Sequence, residues 1–299
     1  MLFSFYGTGI DLSGQLMKSL FYLLFFMTIF TSCTENTSSA QTAVRYTIAE
    51  TKLNVAYGKD SLQRMDVYLP ANRSANTTRA MILIHGGGWN SGDKSQFAHY
   101  IDTFKRRLPD DAIFNINYRL VSNKNLFPTQ EQDVKAAVDF IAAHAQEYGI
   151  NKDDLVLLGA SAGAHLAMLQ AYKYNQPKIK AVIDFFGPTD LLAMYNHPWH
   201  PMIPFLLQML TGTTPSANIA IYQQSSPAYF VNKQSPPTLI LQGGSDNIVD
   251  PSQSKLLKEK LDSAGIKNNL VIYPKERHGW DGPNLTNSFD RIVAFLSEP

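Results

Sequence analysis

Residues 155–163 read LVLLGASAG, an aliphatic run that ends in two glycines flanking one serine. The run predicts a strand buried on both faces of a sheet. The Ala-rich stretch that follows, from Ala162 to about Tyr174, predicts a helix. A sharp Gly-x-Ser-x-Gly turn between strand and helix exposes the serine hydroxyl above the positive end of the helix. We therefore predict that Ser161 is a nucleophile.

Apolar runs of strand length recur along the chain and alternate with helical patterns. Further strands are predicted at about 65–69, 80–85, 112–118, 181–186, 238–242 and 269–273. Helices are predicted at about 128–148, 252–264 and 285–297, with Ser252 as a cap. The alternation predicts an α/β fold with a mostly parallel central sheet, helices on both faces and a small insertion after the strand at 181–186. No Gly/Ser linker splits residues 44–299, which we predict to be a single domain.

Three consecutive glycines follow the predicted strand at 80–85, in the stretch HGGGW at 85–89. Such a run costs backbone entropy, so it makes sense where backbone N–H groups must turn toward a ligand. We predict that the N–H groups of Gly87, Gly88 and Ala162 form an oxyanion hole. His85 itself is predicted to brace the loop.

The predicted base and acid come late in the chain. His278 lies in the loop after the last predicted strand, and Asp246 follows the Gly-Gly turn after the strand before it. This order, Ser161 then Asp246 then His278, is compatible with a Ser-Asp-His triad. Asp250 is predicted to be a helix-entry residue, and His165, one helical turn after Ser161, is predicted to pack in the interior.

These linked motifs resemble the α/β-hydrolase superfamily. Within it, the chain is similar to HGGGW-type esterases of the acetyl xylan and feruloyl esterase-like group, which is related to hormone-sensitive lipase. The resemblance implies an α/β-hydrolase fold, hydrolysis of carboxylic esters by the triad named above, and no need for a metal or an organic cofactor. The segments that carry it are Tyr57-Gly58, 65–70 (MDVYLP), 85–94 (HGGGWNSGDK), 117–120 (NYRL), 159–167 (GASAGAHLA), 244–249 and His278-Gly279.

The substrate is less defined by the sequence. We expect a small ester or an acylated carbohydrate, with acetyl or feruloyl groups as the groups removed. A broad small-acyl carboxylesterase, an amidase of the formamidase type and a prolyl-type exopeptidase remain alternatives within the hydrolases. A non-catalytic carbohydrate-binding protein on a hydrolase scaffold is the alternative from another class.

Three tryptophans are candidates for the substrate pocket. Trp89 and Trp280 adjoin the predicted catalytic motifs, and Trp199 lies in the aromatic, Pro-rich stretch 195–210. That stretch falls within the predicted insertion and is either a lid or ordinary packing. Two nearby histidines, His197 and His200, are predicted to lie on its rim.

The N-terminus predicts export. Lys18 precedes an uncharged apolar run at 19–31, too short for a membrane span of about 20 residues. Small residues then lead to Cys33, so we predict a signal peptide over 1–33 with a lipoprotein-type cysteine and a flexible tether over 34–43. The prediction implies a bacterial lipoprotein in the periplasm or at the cell surface, held to the membrane by its lipid anchor only. Cleavage near residues 38–40 and an uncleaved anchor helix are alternatives.

Composition excludes several other classes. The chain has 299 residues, of which 44% are hydrophobic and 17% charged, as in globular proteins. Its formal net charge is +1, so no basic field indicates nucleic-acid binding. A single cysteine excludes an internal disulfide and a thiolate-rich metal site.

Overall fold

The computed structural model describes residues 45–174 and 176–298. The predicted signal peptide with Cys33, and the predicted tether over 34–43, lie outside the described residues. Within the described part, no helix combines the length and the apolar character that a membrane crossing needs.

A mixed sheet of eight strands forms the centre of the fold. Its order is β10-β9-β8-β7-β5-β6-β3-β2. The six strands from β10 to β6 are parallel, and the pairs β6-β3 and β3-β2 are antiparallel. Two further short strands, β1 and β4, pair with each other. The strands of the described residues are β1 (Arg45–Tyr46), β2 (Glu50–Ala56), β3 (Arg64–Leu69), β4 (Arg73–Ser74), β5 (Ala80–Ile84), β6 (Ala112–Ile116), β7 (Leu155–Ala160), β8 (Ile179–Phe185), β9 (Thr238–Gly243) and β10 (Asn268–Tyr273).

Helices cover both faces of this sheet, because its central strands are apolar on both sides. Ile82 and Ile84 of β5 pack in one cluster, whereas Met81 and Leu83 of the same strand pack in the other. The helices are α1 (Ser95–Ala98), α2 (Ile101–Arg107), α3 (Thr129–Ala143), α4 (Ala145–Tyr148), α5 (Ala162–Lys173), α6 (Leu191–Asn196), α7 (Ile203–Thr211), α8 (Ile219–Gln224), α9 (Pro251–Ser263) and α10 (Gly282–Ser297), with a short 3₁₀ turn at Pro227–Tyr229.

The predicted α/β fold is confirmed, including the insertion after β8. Helices α6, α7 and α8 occupy the connection between β8 and β9. The predicted cap of α9 is wrong: the Asp250 side chain accepts the N–H of Ser252 at 2.8 Å, and Pro251 starts the helix. Asp250 is thus the helix-entry residue that the sequence predicts.

Parallel strands explain why the predicted site residues meet. The carboxyl ends of β5, β7, β9 and β10 point to one edge of the sheet, since these strands run in the same direction. The HGGGW loop follows β5, Ser161 follows β7, and Asp246 and His278 follow β9 and β10. In open α/β sheets this edge is where ligands bind.

Candidate active site

Ser161 sits on a strained turn between β7 and α5. Its backbone has φ 54° and ψ −119°, a conformation that non-glycine residues rarely adopt. Such strain costs about 1–3 kcal/mol and persists only where the surroundings enforce it. The two flanking glycines allow the close packing that enforces it. A Cβ on Gly163 would lie 2.0 Å from the Ile84 carbonyl oxygen, and one on Gly159 would lie 2.3 Å from the Gly163 carbonyl carbon. Only glycine lets helix and strands approach this closely.

A continuous chain of hydrogen bonds joins the three predicted triad residues. His278 Nε2 lies 2.9 Å from Ser161 Oγ, and His278 Nδ1 lies 2.8 Å from Asp246 Oδ2. Asp246 is buried, whereas Ser161 and His278 are partly exposed. With the proton on Nδ1, the imidazole donates to the carboxylate and presents Nε2 as an acceptor to the serine hydroxyl.

The Asp246 carboxylate is fully surrounded by donors. Its Oδ1 accepts the backbone N–H groups of Ile248 at 2.8 Å and Val249 at 3.0 Å. Its Oδ2 accepts Gln242 Nε2 at 3.1 Å in addition to His278. Four donors fix the orientation of a carboxylate that must in turn orient an imidazole.

Gln242 is a residue of this site that the sequence reasoning missed. It is the last residue but one of β9 and is fully buried, and its Oε1 accepts the Ser254 hydroxyl of α9 at 2.8 Å. The signal was present in the sequence, because Gln242 is a lone amide at the end of the apolar run TLIL and directly before the Gly-Gly turn.

The HGGGW loop lies beside a cavity that also holds Ser161. Gly87 and Gly88 have φ values of +101° and +57°, in the region that favours glycine. The Gly86 N–H is already bonded to Gln96 Oε1 at 3.1 Å. We call the adjoining space of about 360 Å³ the serine cavity; its walls include Gly87, Gly88, Trp89, Ser161, Ala162 and His278. The three predicted oxyanion residues therefore share one cavity with the serine and the histidine.

Two other histidines hold the loop in place. His85 Nδ1 lies 2.8 Å from the Gly86 carbonyl oxygen, and its ring stacks on Tyr118 at 4.3 Å between centroids. His165 Nδ1 accepts Trp89 Nε1 at 3.1 Å, while its Nε2 donates to the Ser225 carbonyl at 2.6 Å. Burial lowers the pKa of each imidazole to about 4, so both are neutral near pH 7. Neutral, internally bonded imidazoles fit structural roles, as the sequence predicts.

The three candidate tryptophans lie in different surroundings. Trp89 is buried and lines the serine cavity. Trp199 is 61% exposed and lines a neighbouring groove beside the Asp246 loop. Trp280 is buried behind Phe186, where its Nε1 donates to Ser288 Oγ at 2.9 Å. The insertion closes another side of the serine cavity with Met194, Ile203 and Leu206.

Among the described residues, no cluster of His, Cys, Asp or Glu side chains could hold a metal ion. Arg119, in the segment 117–120 after β6, forms an ion pair with buried Asp133 of α3, with Nη2 and Oδ1 2.6 Å apart. The pair joins that segment to α3 and lies outside the walls of the serine cavity.

The fold is that of an α/β-hydrolase. The chain belongs to the BD-FAE family, whose model matches residues 65–261. The resemblance predicted from the motifs is thereby confirmed.

Known proteins similar to this chain carry esterase names. "Probable carboxylic ester hydrolase LipM" of Mycobacterium tuberculosis is 28% identical over 82% of this chain and 60% of its own length. "Acetylxylan esterase" of Xylanibacter ruminicola is 25% identical over 87% of this chain and 51% of its own length. A solved structure titled "Truncated form of carbohydrate esterase from gut microbiota" superposes with a TM-score of 0.71 at 25% identity, covering 84% of this chain and 96% of that one. The chain thus spans little more than half the length of the two curated relatives.

Proposed function

We propose that this protein is a serine carboxylic-ester hydrolase. The Ser161 oxygen attacks the ester carbonyl carbon while His278 Nε2 takes the hydroxyl proton, and the carbonyl electrons move onto the oxygen. Asp246 orients the imidazole and stabilises its cationic form. As the carbon–alkoxy bond breaks, His278 gives its proton to the departing alcohol, leaving an acyl-serine. Water then attacks the acyl carbon while His278 takes its proton, the bond from that carbon to Ser161 Oγ breaks, and His278 returns the proton to Oγ as the acid is released.

The observation that carries this proposal is the hydrogen-bonded chain Ser161–His278–Asp246 on the strained turn. The negative charge that develops on the carbonyl oxygen needs donors, and the N–H groups of Gly87, Gly88 and Ala162 are the candidates. Ala162 is the first residue of α5, where N–H groups lack partners within the helix. Removing one such donor raises the barrier by about 3 kcal/mol in known cases.

For the substrate, we propose acetyl or feruloyl esters of carbohydrate. Two of the relatives carry carbohydrate esterase or acetylxylan esterase in their names. The groove beside Asp246 supports the same class, since exposed Trp199 lies there with polar Asn247, Ser252 and Lys255. An aromatic face with polar neighbours suits a sugar ring, and Trp199→Ala tests it. It should lower kcat/KM on acetylated xylan several-fold and leave p-nitrophenyl acetate unchanged.

A broad small-acyl carboxylesterase is the second candidate. It is favoured by the apolar wall that Met194, Ile203 and Leu206 provide next to Ser161. Acetate or acid release from acetylated xylan, feruloylated oligosaccharide and short p-nitrophenyl esters, measured side by side, separates the two. Comparable rates on all p-nitrophenyl esters with none on xylan would favour the broad enzyme.

Labelling with a fluorophosphonate probe tests the chemistry directly. We expect the wild-type protein to be labelled at Ser161 and Ser161→Ala to be both unlabelled and inactive while folded. An unlabelled wild-type protein with a normal circular dichroism spectrum would instead support the non-catalytic carbohydrate-binding alternative.

We also propose that the protein is an exported lipoprotein modified at Cys33. The support is the sequence alone: an uncharged run after Lys18 that ends in small residues before the cysteine. Palmitate labelling in a bacterial host should mark the wild-type chain and spare Cys33→Ser. Equal labelling of both, or none of either, would overturn the assignment.

A further inference from the structure

A second cavity, which we call the aromatic cavity, lies beside the serine cavity and has no part in the mechanism above. Its volume is about 320 Å³, and seven of its eleven lining residues are aromatic, among them Phe97, Tyr100, Phe104, Trp280 and Phe289. Helices α1, α2 and α10, the ends of β7 and β8 and the loop after His278 supply its walls.

The aromatic cavity is lined by the residues next in sequence to the proposed nucleophile and base. Ala160 directly precedes Ser161, and Gly279 directly follows His278, and both line this cavity. Ala160 and Phe186 line the serine cavity as well. A single substrate therefore has two spaces to occupy on adjacent sides of the same serine.

Phe186 forms the partition between the two cavities. Its ring centroid lies 4.6 Å from that of His278 and 5.3 Å from that of Trp280. The residue holds a φ of 46°, in the region that L side chains rarely adopt. A side chain kept in that conformation at the end of β8 has its ring fixed against the imidazole on one side and the aromatic cavity on the other.

An aromatic lining offers an aromatic ring contacts that an aliphatic chain does not make. Edge-to-face and offset ring contacts at 4.5–7 Å contribute about 0.5–1.5 kcal/mol beyond area burial. The walls already contact one another in this way, since Phe104 and Phe289 meet at 5.1 Å and 75°. A cavity of about 150 Å³ with apolar walls is enough to bind benzene, so the larger space here accommodates a substituted ring.

Polar groups also line the aromatic cavity. They include exposed Asp281 and the phenol of half-buried Tyr100. Burial, followed by the negative charge of Asp281, raises the pKa of the Tyr100 phenol. Its hydroxyl therefore stays protonated and available as a donor to a polar group on a bound ring.

We propose that the aromatic cavity is a subsite for an aromatic ring of the ester substrate, carried on either its acyl or its alcohol side. The inference rests on the proposed ester hydrolysis at Ser161. It goes further in that the residues lining the aromatic cavity discriminate between esters with an aromatic ring and esters without one.

Leu285→Trp fills the aromatic cavity from α10, and its matched control is Thr286→Trp, the exposed next residue of the same helix. Three esters are compared: triacetin without a ring, phenyl acetate with a ring on the alcohol side, and methyl cinnamate with a ring on the acyl side. We expect Leu285→Trp to lower kcat/KM at least tenfold for one or both ring-bearing esters and to keep triacetin within twofold. The ester that is affected identifies the side, and Thr286→Trp should affect none.

Equal losses on all three esters, no loss on any, or a wild-type enzyme that hydrolyses triacetin but neither ring-bearing ester would overturn the subsite. A wild-type enzyme inactive on every ester would contradict the proposed function instead. The subsite is then tested by calorimetric titration with cinnamate and, as a ring-free control, hexanoate. We expect cinnamate to bind more tightly, and Leu285→Trp to weaken it at least tenfold; equal affinity in the two proteins refutes the subsite. If Leu285→Trp does not fold, Leu285→Phe replaces it in both experiments.

Discussion

Gln242 Nε2 lies 3.1 Å from Asp246 Oδ2, the same oxygen that receives His278 Nδ1. One carboxylate oxygen therefore accepts both a buried amide and the imidazole. The amide is itself held by Ser254 at its other end. Orientation of the proposed acid thus depends on β9 and α9, which supply Gln242 and Ser254.

Replacing this amide should lower turnover and leave substrate binding intact. Gln242→Met keeps the length of the side chain but removes the donor, and hydrogen bonds to charged groups contribute about 1.5–3 kcal/mol. We expect kcat for p-nitrophenyl acetate to fall about 10-fold or more, with KM nearly constant. Ser254→Ala, which removes only the outer hydrogen bond, should lower kcat by less. A folded Gln242→Met enzyme with unchanged kcat would show that the backbone donors suffice.

The glycine after the nucleophile should tolerate no side chain. Gly163→Ala would bring its Cβ within 2.0 Å of a backbone oxygen of β5, which cannot move without shifting the sheet. We expect insoluble protein or a melting temperature lowered by about 5 °C or more, since overpacking of this kind costs about 1–3 kcal/mol or more. Gly265→Ala is the control: its φ is +72° but nothing lies within 4 Å, so only modest backbone strain is added. Similar melting temperatures for both variants would refute the steric argument.

Asp184 should make the protein less stable as the pH rises from acid to neutral. Its side chain is buried near the end of β8. Burial raises the pKa of the carboxyl from 3.8 to about 7, although its Oδ1 accepts the backbone N–H of Gly187. Between these values the unfolded chain has lost the proton and the folded one still binds it, so the free energy of unfolding falls as pH increases. Tyr172 is the other titratable group nearby and stays protonated throughout this range.

Asp184→Asn tests that linkage. It should remove this part of the pH dependence, so that the variant gains stability relative to wild type between about pH 4 and pH 7, by an amount on the order of 1–4 kcal/mol. Chemical denaturation at both pH values measures it. A constant difference between variant and wild type at the two pH values would mean that Asp184 does not titrate in this window.

The contact between His165 and Trp89 should support the HGGGW loop. Trp89 holds a φ of 61°, and its indole donates to the buried imidazole. His165→Phe removes the acceptor and the bond to the Ser225 carbonyl, leaving a buried donor unpaired at about 1–3 kcal/mol. We expect a lower melting temperature and kcat reduced several-fold, because the loop with Gly87 and Gly88 loses a fixed neighbour. An unchanged kcat at temperatures where the variant is folded would contradict the predicted effect on the loop and leave only an effect on stability.

The parallel strands of the sheet and the proposed triad residues were predictable because their signals are local, whereas β1, β2 and β4 were not predicted. Apolar runs end at turns with Gly, Ser, Asp or His, and parallel strands bring those ends together whatever the rest of the chain does. Helices α1 and α2 were missed, although Phe97, Ile101 and Phe104 have helical 3–4 spacing. These helices are short and neither has a side-chain N-cap, so the sequence lacks the usual signals for where they begin.

The surroundings of the site were less predictable because they depend on packing between distant segments. Trp280 stands two residues after His278, yet its ring faces Phe185 and Tyr273 behind the Phe186 partition. No local pattern encodes that direction. The Gln242 amide differs, since its partners Asp246 and Ser254 lie nearby in the chain and the lone amide after an apolar run was a signal in the sequence.

The segment between β8 and β9 has a consequence for how selectivity in this fold can be altered. It supplies Met194, Ile203 and Leu206 to one wall, while the three hydrogen-bonded side chains come from loops outside it. A chimaera that exchanges residues 190–230 for the matching stretch of a relative would retain the hydrolytic machinery and inherit a different specificity. Natural diversification and directed evolution can therefore act on this region as a replaceable module.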